Sequence, residues 1–139
     1  MKFSSSASLI FVATILFAAC GTKSSDEEQV RALFEAVETA AEARDTSDVL
    51  EHVSSQYADS NGFDKTQLQN FLRGYFLAHP KLELLVTIES LAFPVDGLAQ
   101  AVVSVATVEL GDPGLQRLKV ELRREDGDWR VVRADRQPR

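Results

Sequence analysis

The sequence has little of the side-chain chemistry from which disulfide frameworks and closed metal sites are built. It contains one cysteine and two histidines in 139 residues. One cysteine excludes an intramolecular disulfide and any four-cysteine zinc site, and two histidines add few further ligands. We therefore expect no metal site and no cofactor.

The composition is that of one folded domain. Hydrophobic residues make up 45% of the chain and charged residues 26%, which is too apolar for a disordered protein. The length corresponds to a single domain. The net charge of −6 argues against a nucleic-acid partner, because such proteins neutralise phosphates with clustered lysine and arginine.

The first apolar run of the chain is too short to cross a membrane. It covers residues 9–19, behind a basic start at Lys2. A membrane-spanning helix needs about 20 apolar residues, whereas a short run behind a positive charge is typical of a secretory signal. We therefore predict a signal peptide over residues 1–19.

The end of this run, Phe17-Ala18-Ala19-Cys20-Gly21, resembles the bacterial lipobox, although Phe17 stands where that motif usually has leucine. Ordinary signal cleavage is the alternative, but the Ala-x-Ala pattern is poorly formed at this junction. Lipidation also explains a lone thiol in an oxidising compartment. The resemblance implies a lipoprotein anchored to the bilayer by acylated, palmitate-bearing Cys20. Gly21 then favours the periplasmic face of the outer membrane.

The predicted anchor is close to the folded domain. Removing residues 1–19 leaves 120 residues with a net charge of −7. The lipidated cysteine and a short tether occupy residues 20–25, and the five residues after Cys20 reach at most about 17 Å. The domain, residues 26–136, should therefore lie almost on the leaflet surface.

Helical spacing of apolar residues predicts two helices at the start of the domain. Ser25 and Glu28 fit a capping box that begins a helix over residues 26–44. A break with a new cap follows at residues 45–48. A short second helix then carries Val49, Leu50 and Val53.

A third helix is bounded by clear start and stop signals. Asp64 and Gln67 form another capping box, and Pro80 ends the helix. Its apolar face consists of Leu68, Phe71, Leu72, Tyr75 and Phe76.

The period of the apolar residues then changes to two, which indicates β-strands. We predict strands over residues 81–92 and 98–110, with two more around residues 118–122 and 129–134. Asp126-Gly127 suits a two-residue hairpin loop. The fold class is therefore α+β, with three N-terminal helices packed on a curved, mainly antiparallel sheet of four to five strands.

This order of elements resembles the nuclear transport factor 2-like superfamily, whose cone-shaped fold is shared with polyketide cyclases and ketosteroid isomerases. The resemblance covers residues 26–136. It rests also on the break at residues 43–45, on Tyr57-x-Asp59 before the third helix, and on the ending EDGDWRVV at residues 125–132. It implies a mostly apolar cavity, open at one end, between the helices and the bent sheet.

Such a cavity would bind a small apolar ligand. The candidate contact residues are Phe34, Tyr57, Phe71, Tyr75 and Trp129. The alternative is that these side chains fill the cone, because an apolar stripe at helical spacing is ordinary core. Both possibilities stay open at the level of sequence.

An enzyme on this fold would need a proton-abstracting carboxylate and hydroxyl donors inside the cavity. The candidate groups are Tyr57, Tyr75, Asp59, Asp135, His52 and His79. Asp59 lies in a polar turn that it is suited to cap, and His79 suits a helix end. No catalytic set transfers from the family residue by residue, so we expect a binding domain with no catalytic residue. The alternative is a small isomerase, cyclase or dehydratase that uses a Tyr/Asp pair.

A protein partner is the third possibility. The second strand is apolar on both faces, which favours a homodimer or an envelope protein, as in a scaffold or immunity-like inhibitor, on the outer sheet face. Residues 24–64 hold 11 acidic against 2 basic residues, and residues 115–139 hold 8 basic against 5 acidic residues. This asymmetry would suit a basic sheet end that faces anionic lipid or an acidic protein.

Overall fold

The structure is a computed structural model that describes residues 24–108 and 114–138. Its elements are α1 (Asp26–Glu42), α2 (Thr46–Glu51), α3 (Lys65–Ala78), β1 (Glu83–Ala92), β2 (Leu98–Val108), β3 (Gly114–Glu125) and β4 (Asp128–Arg136). The predicted α+β class is confirmed, with four strands in the sheet. The predicted signal peptide, Cys20 and the end of the predicted second strand lie outside the described residues. None of the helices described here is long and apolar enough to span a membrane.

The helices begin at side-chain caps. Ser25 Oγ accepts from the Glu28 backbone N–H at 3.2 Å, but the Glu28 side chain does not return the bond, so the predicted capping box is only half formed. The helix α1 ends two residues before the predicted boundary. Arg44 then takes the left-handed conformation, with a φ of 56°. Asp64 and Gln67 form the predicted capping box, with both bonds at 2.8–2.9 Å. Caps of this kind satisfy backbone donors that have no partner within the helix.

The second helix is shorter than predicted. It ends at Glu51, and Val53 instead forms a parallel bridge with Val131 of β4. The Val131 N–H donates to His52 O at 2.8 Å, and the Ser54 N–H donates to Val131 O at 2.9 Å. The segment after α2 therefore covers the outer edge of β4, and this long-range pairing overrides the helical spacing.

The sheet is an antiparallel meander in the order β1-β2-β3-β4. Register shifts interrupt β1 between Ile88 and Ser90 and the β3–β4 pair between Glu121 and Leu122. Bulges of this kind bend a strand and increase its twist, which curves the sheet around the helices. The predicted hairpin loop is confirmed, since Asp126 and Gly127 have φ values of 51° and 85°.

The interior differs between the two ends of the sheet. At the narrow end, where the β3–β4 hairpin lies, the first half of α1 packs on the sheet and Val30 and Leu122 are fully buried. At the opposite end, which we call the open end, β2 finishes and β3 begins. There the inward side chains of Val86, Val105 and Leu118 are only half-buried, although they lie on the same concave face.

Candidate ligand cavity

A cavity of about 480 Å³ lies at the open end, between α3, the second half of α1 and the concave face of the sheet. The helices contribute Val37, Ala41, Val49, Leu68, Phe71, Leu72, Tyr75 and Phe76. The strands contribute Leu84, Val86, Val105 and Leu118. The volume lies within the range of about 300–1,000 Å³ that is typical of small-molecule sites. The cone is therefore hollow at this end.

The space exists because α3 packs loosely on the rest of the domain. Within α3 only Phe76 is buried, whereas Leu72 and Tyr75 are half-buried and Phe71 is 46% exposed. Lys65 Nζ holds the start of the helix by donating to Val53 O at 2.9 Å. Apolar surface left in contact with water costs roughly 25 cal/mol per Å², so an apolar occupant would be stabilised here.

Aromatic rings form one side of the cavity wall. The centroids of Phe63 and Phe71 are 5.9 Å apart, and those of Phe71 and Tyr75 are 6.0 Å apart. His79 extends the row beyond the cavity, because it stacks on Tyr75 at 4.0 Å and its Nδ1 lies 2.7 Å from Tyr75 O. Phe63 was missed by the sequence analysis, since it lies before α3 and outside the helical spacing.

Three of the five predicted contact residues meet in this cavity, namely Tyr57, Phe71 and Tyr75. Phe34 and Trp129 do not line it, because they lie in the closed core at the narrow end and are 8% and 5% exposed. Phe34 projects from α1 and Trp129 from β4, and at their level the helix packs closely on the sheet.

Tyr57 and Asp59 lie in the cavity wall as a hydrogen-bonded pair. Tyr57 Oη donates to Asp59 Oδ2 at 2.7 Å. Asp59 Oδ1 accepts from the Asn61 and Phe63 backbone N–H groups at 2.9 and 3.1 Å. Burial raises the pKa of the Tyr57 phenol well above its usual value, and the bond to Asp59 raises that pKa further. Tyr57 is therefore a neutral donor at physiological pH, and Asp59 holds the turn together.

Two other acid–base candidates are not free groups of the cavity, since Asp135 is hydrogen-bonded and His52 lies elsewhere. Asp135 Oδ1 accepts from the Ser60 N–H at 2.8 Å, and this bond, reinforced by Arg133, lowers the pKa of Asp135. His52 lines a different cleft, near the narrow end. Among the residues that the structure describes, no group of three or more His, Cys, Asp or Glu side chains could hold a metal ion.

Glu38 is a polar residue of the cavity wall that sequence reasoning did not single out. Its Oε2 accepts from the Val86 backbone N–H at 2.9 Å. Val86 belongs to β1, which is an edge strand of the sheet formed by the described residues, so its outward donors have no neighbouring strand there. No local pattern marks Glu38, because its partner is 48 residues away.

Most of the remaining polar wall residues lie at the rim. Asn61, Gln116 and Arg136 are exposed side chains at the edge of the cavity. Thr107 Oγ1 lies 3.3 Å from Gly114 O, to which it donates. The interior can therefore receive an apolar body, and the rim can contact a polar end.

No protein-family model and no curated protein matches the chain. Solved structures are similar to it, among them an NTF-2 like protein of unknown function from Shewanella oneidensis, at 16% identity over 82% of this chain and 100% of that chain, with a TM-score of 0.67. A domain of unknown function with a cystatin-like fold from Nostoc punctiforme is 15% identical over 85% of this chain and 80% of that chain, with a TM-score of 0.71.

A third similar structure, from Thiobacillus denitrificans, has been assigned as a calcium/calmodulin-dependent protein kinase type II association domain. It is 18% identical over 78% of this chain and 94% of that chain, with a TM-score of 0.67. Identities at this level establish the fold alone. The nuclear transport factor 2-like fold predicted from the sequence is confirmed.

Proposed function

We propose that this domain binds a small apolar ligand in the open-end cavity and catalyses no reaction. The observation that supports the proposal is the cavity of about 480 Å³, whose wall is apolar except at its rim and at the hydrogen-bonded groups Glu38, Tyr57 and Asp59. Protein interiors are normally close-packed, so an apolar void of this size is a binding site by default.

The wall restricts the chemistry of the ligand. The rings of Phe63, Phe71 and Tyr75 offer flat surfaces for an aromatic or alicyclic body. Arg136 at the rim would favour a neutral or weakly acidic polar end over a cationic one. The expected ligand is therefore an apolar molecule of drug-like size with one polar end.

The absence of catalysis is inferred from the bonding of the candidate groups. A general base must be free to take a proton from the substrate. Asp59 already accepts three hydrogen bonds, from Tyr57 and from two backbone N–H groups. Glu38 accepts from the Val86 N–H. We therefore assign these groups to the wall of a binding site. A Tyr57/Asp59 isomerase remains the enzyme alternative, and turnover lost in Asp59→Asn with binding retained would establish it.

Two adjacent leucines of β1 allow a matched test of ligand binding. Leu84 lines the cavity, whereas Leu85 lies on the outer sheet face and is 60% exposed. An uncharged apolar fluorophore, N-phenyl-1-naphthylamine, should bind the protein and gain fluorescence. Leu84→Trp should fill the cavity and weaken that binding at least about tenfold, which is about 1.4 kcal/mol. Leu85→Trp should leave it unchanged, and equal effects of both variants would contradict the proposal.

We also propose that the protein is a lipoprotein of the cell envelope, anchored by Cys20 at the periplasmic face of the outer membrane. The support is the lipobox-like sequence at the end of the short apolar run. Two or more acyl chains at one residue give stable anchoring, which a single chain does not. Mass spectrometry should find a mature chain that begins with acylated Cys20. Cys20→Ser should abolish the acyl mass and release the protein from membranes.

A second candidate function is self-association through the outer face of the sheet. Leu85, Ala106 and Leu115 occupy directly paired positions on three strands, and the two leucines are 60% and 58% exposed. Such a row favours a homodimer or an envelope protein partner. In analytical ultracentrifugation, Leu85→Glu should convert a dimer to a monomer. Leu77→Glu, at an exposed position of α3, is the control.

A further inference from the structure

We infer that the narrow end of the cone is a bilayer-contacting tip, in which the loop Phe93-Pro94-Val95 enters the lipid interface and the ligand cavity faces away from the membrane. The inference rests on the proposed anchor at Cys20. It adds a second contact with the bilayer, and this contact sets the orientation of the domain.

The loop between β1 and β2 presents apolar side chains to solvent at this end. Phe93 is 38% exposed and Val95 is 57% exposed, with exposed Pro94 between them. Phe93 is held in place by an edge-to-face contact with Trp129, with ring centroids 5.8 Å apart. The loop is therefore a firm apolar protrusion, and protrusions of this kind are suited to a lipid surface.

The anchored end of the chain lies beside this loop. Arg124 pairs with Asp26, at the start of α1, and its Nη1 lies 3.2 Å from Asp96 Oδ1, directly after the loop. Ser24 and Asp96 line the same small cleft. Cys20 precedes Ser24 by four residues, which span at most about 14 Å. Acyl chains on Cys20 would therefore bring the bilayer within reach of the loop.

The cavity lies at the other end of the same elements. The residues that β2 contributes to it are Val105 and Thr107, whereas the tip is next to Leu98. Nine residue steps of strand separate Leu98 from Thr107, or about 30 Å. With the tip in the interface, the cavity would open into the aqueous phase. It would then exchange its ligand with that phase or with a soluble partner, and not with the anchoring leaflet.

Charge around the tip determines which lipid surface it fits. Exposed acids near the loop include Glu28, Asp96, Asp126 and Asp128. Bases lie at the same end, because Arg124 pairs with Asp96, Arg130 lies 3.9 Å from Asp128, and exposed Arg123 is paired with Leu98 in the sheet. Paired charges of both signs next to the loop give the tip no strong electrostatic attraction to an anionic membrane surface. The partner is therefore a zwitterionic phospholipid surface. This differs from the sequence-based expectation that a basic sheet end would face anionic lipid.

Two valines of equal exposure at opposite ends provide the test. Val95 is 57% exposed at the tip, and Val108 is 56% exposed at the open end. Lipidated Cys20 has no free thiol, so Val95→Cys and Val108→Cys each carry one reactive site for an environment-sensitive fluorophore. The full lipidated chains are reconstituted into vesicles of phosphatidylcholine and phosphatidylethanolamine, some of which contain lipids with a quencher on the acyl chain.

The label at position 95 should shift to the blue and be quenched several-fold more than the label at position 108. Partial replacement by phosphatidylglycerol should leave this difference nearly unchanged. Protein that floats with the vesicles but shows equal quenching at both positions would overturn the tip and leave the anchor intact. Protein that does not float would overturn the anchor, and the inference with it. A difference between the two positions that appears only with phosphatidylglycerol would overturn the zwitterionic surface as the partner.

Discussion

The Glu38 carboxylate accepts a hydrogen bond from the Val86 backbone N–H at 2.9 Å and thereby joins α1 to the edge strand β1. The bond lies where the closed core meets the cavity, because Glu38 and Val86 both line the cavity wall. It satisfies an outward donor of an edge strand, and it holds the distance between helix and sheet on which the cavity depends.

Removal of this carboxylate should destabilise the domain. Glu38→Ala leaves the Val86 N–H without its partner, and we expect a loss of about 1 kcal/mol in the free energy of unfolding. Urea denaturation measures the change. Glu38→Gln retains an acceptor oxygen and should recover most of the loss. Glu35→Ala, at an exposed position of the same helix, should have little effect.

The Tyr57 hydroxyl should contribute to stability in a way that depends on pH. Because the pKa of Tyr57 is raised in the folded state, the neutral phenol is favoured by folding. Its contribution is complete below the unfolded value of about 10 and is lost as the pH rises beyond it. Tyr57→Phe should cost about 1–2 kcal/mol at pH 7. The difference from the wild type should shrink in denaturation curves recorded above pH 10, and a constant difference would contradict this interpretation.

The Asp135 carboxylate should make the stability of the fold depend on pH in the acid range. Its pKa is lowered in the folded state, first by the Ser60 N–H and then by Arg133. The stabilising contribution is therefore present above its ordinary value of 3.8 and is lost as the pH falls through the lower folded value. Asp135→Asn should flatten the acid side of the stability profile, which thermal melts between neutral pH and acid would record. A profile parallel to that of the wild type would exclude this role.

Gly74 gives α3 a site at which stability can be raised. In the part of the chain that the structure describes, no atom lies within 4 Å of the place that a Cβ would take at this position, and the residue is inside the helix. Gly74→Ala should therefore raise the free energy of unfolding by about 0.5–1 kcal/mol. Gly62 also has open space around it, but its φ of 78° is unfavourable for alanine. Gly62→Ala should destabilise the protein, and differential scanning calorimetry of the pair separates helix propensity from backbone strain.

Local signals in the sequence predicted the elements of this fold. Caps at Ser25 and Asp64, the change of period near residue 81 and the Asp126-Gly127 loop each depend on neighbouring residues, and the structure contains all of them. Ser25 nevertheless caps α1 through one bond and not through the two bonds of the predicted capping box. The order of those elements then indicated the cone. The end of α2 was predicted too far along the chain, because Val53 is paired with a strand that comes almost eighty residues later. The third strand begins at Gly114, four residues before the predicted start.

The same local signals could not distinguish core from cavity wall. Phe34 and Phe71 both lie on apolar helix faces, yet Phe34 is 8% exposed in the closed core and Phe71 is 46% exposed beside the cavity. Apolar periodicity indicates which side of a helix faces inward, and the sequence alone determined the inward side of each helix. How far each helix stands from the sheet was decided by the tertiary structure. That distance depends on strand register, on two bulges and on contacts such as Glu38 to Val86, all of which join residues far apart in the chain.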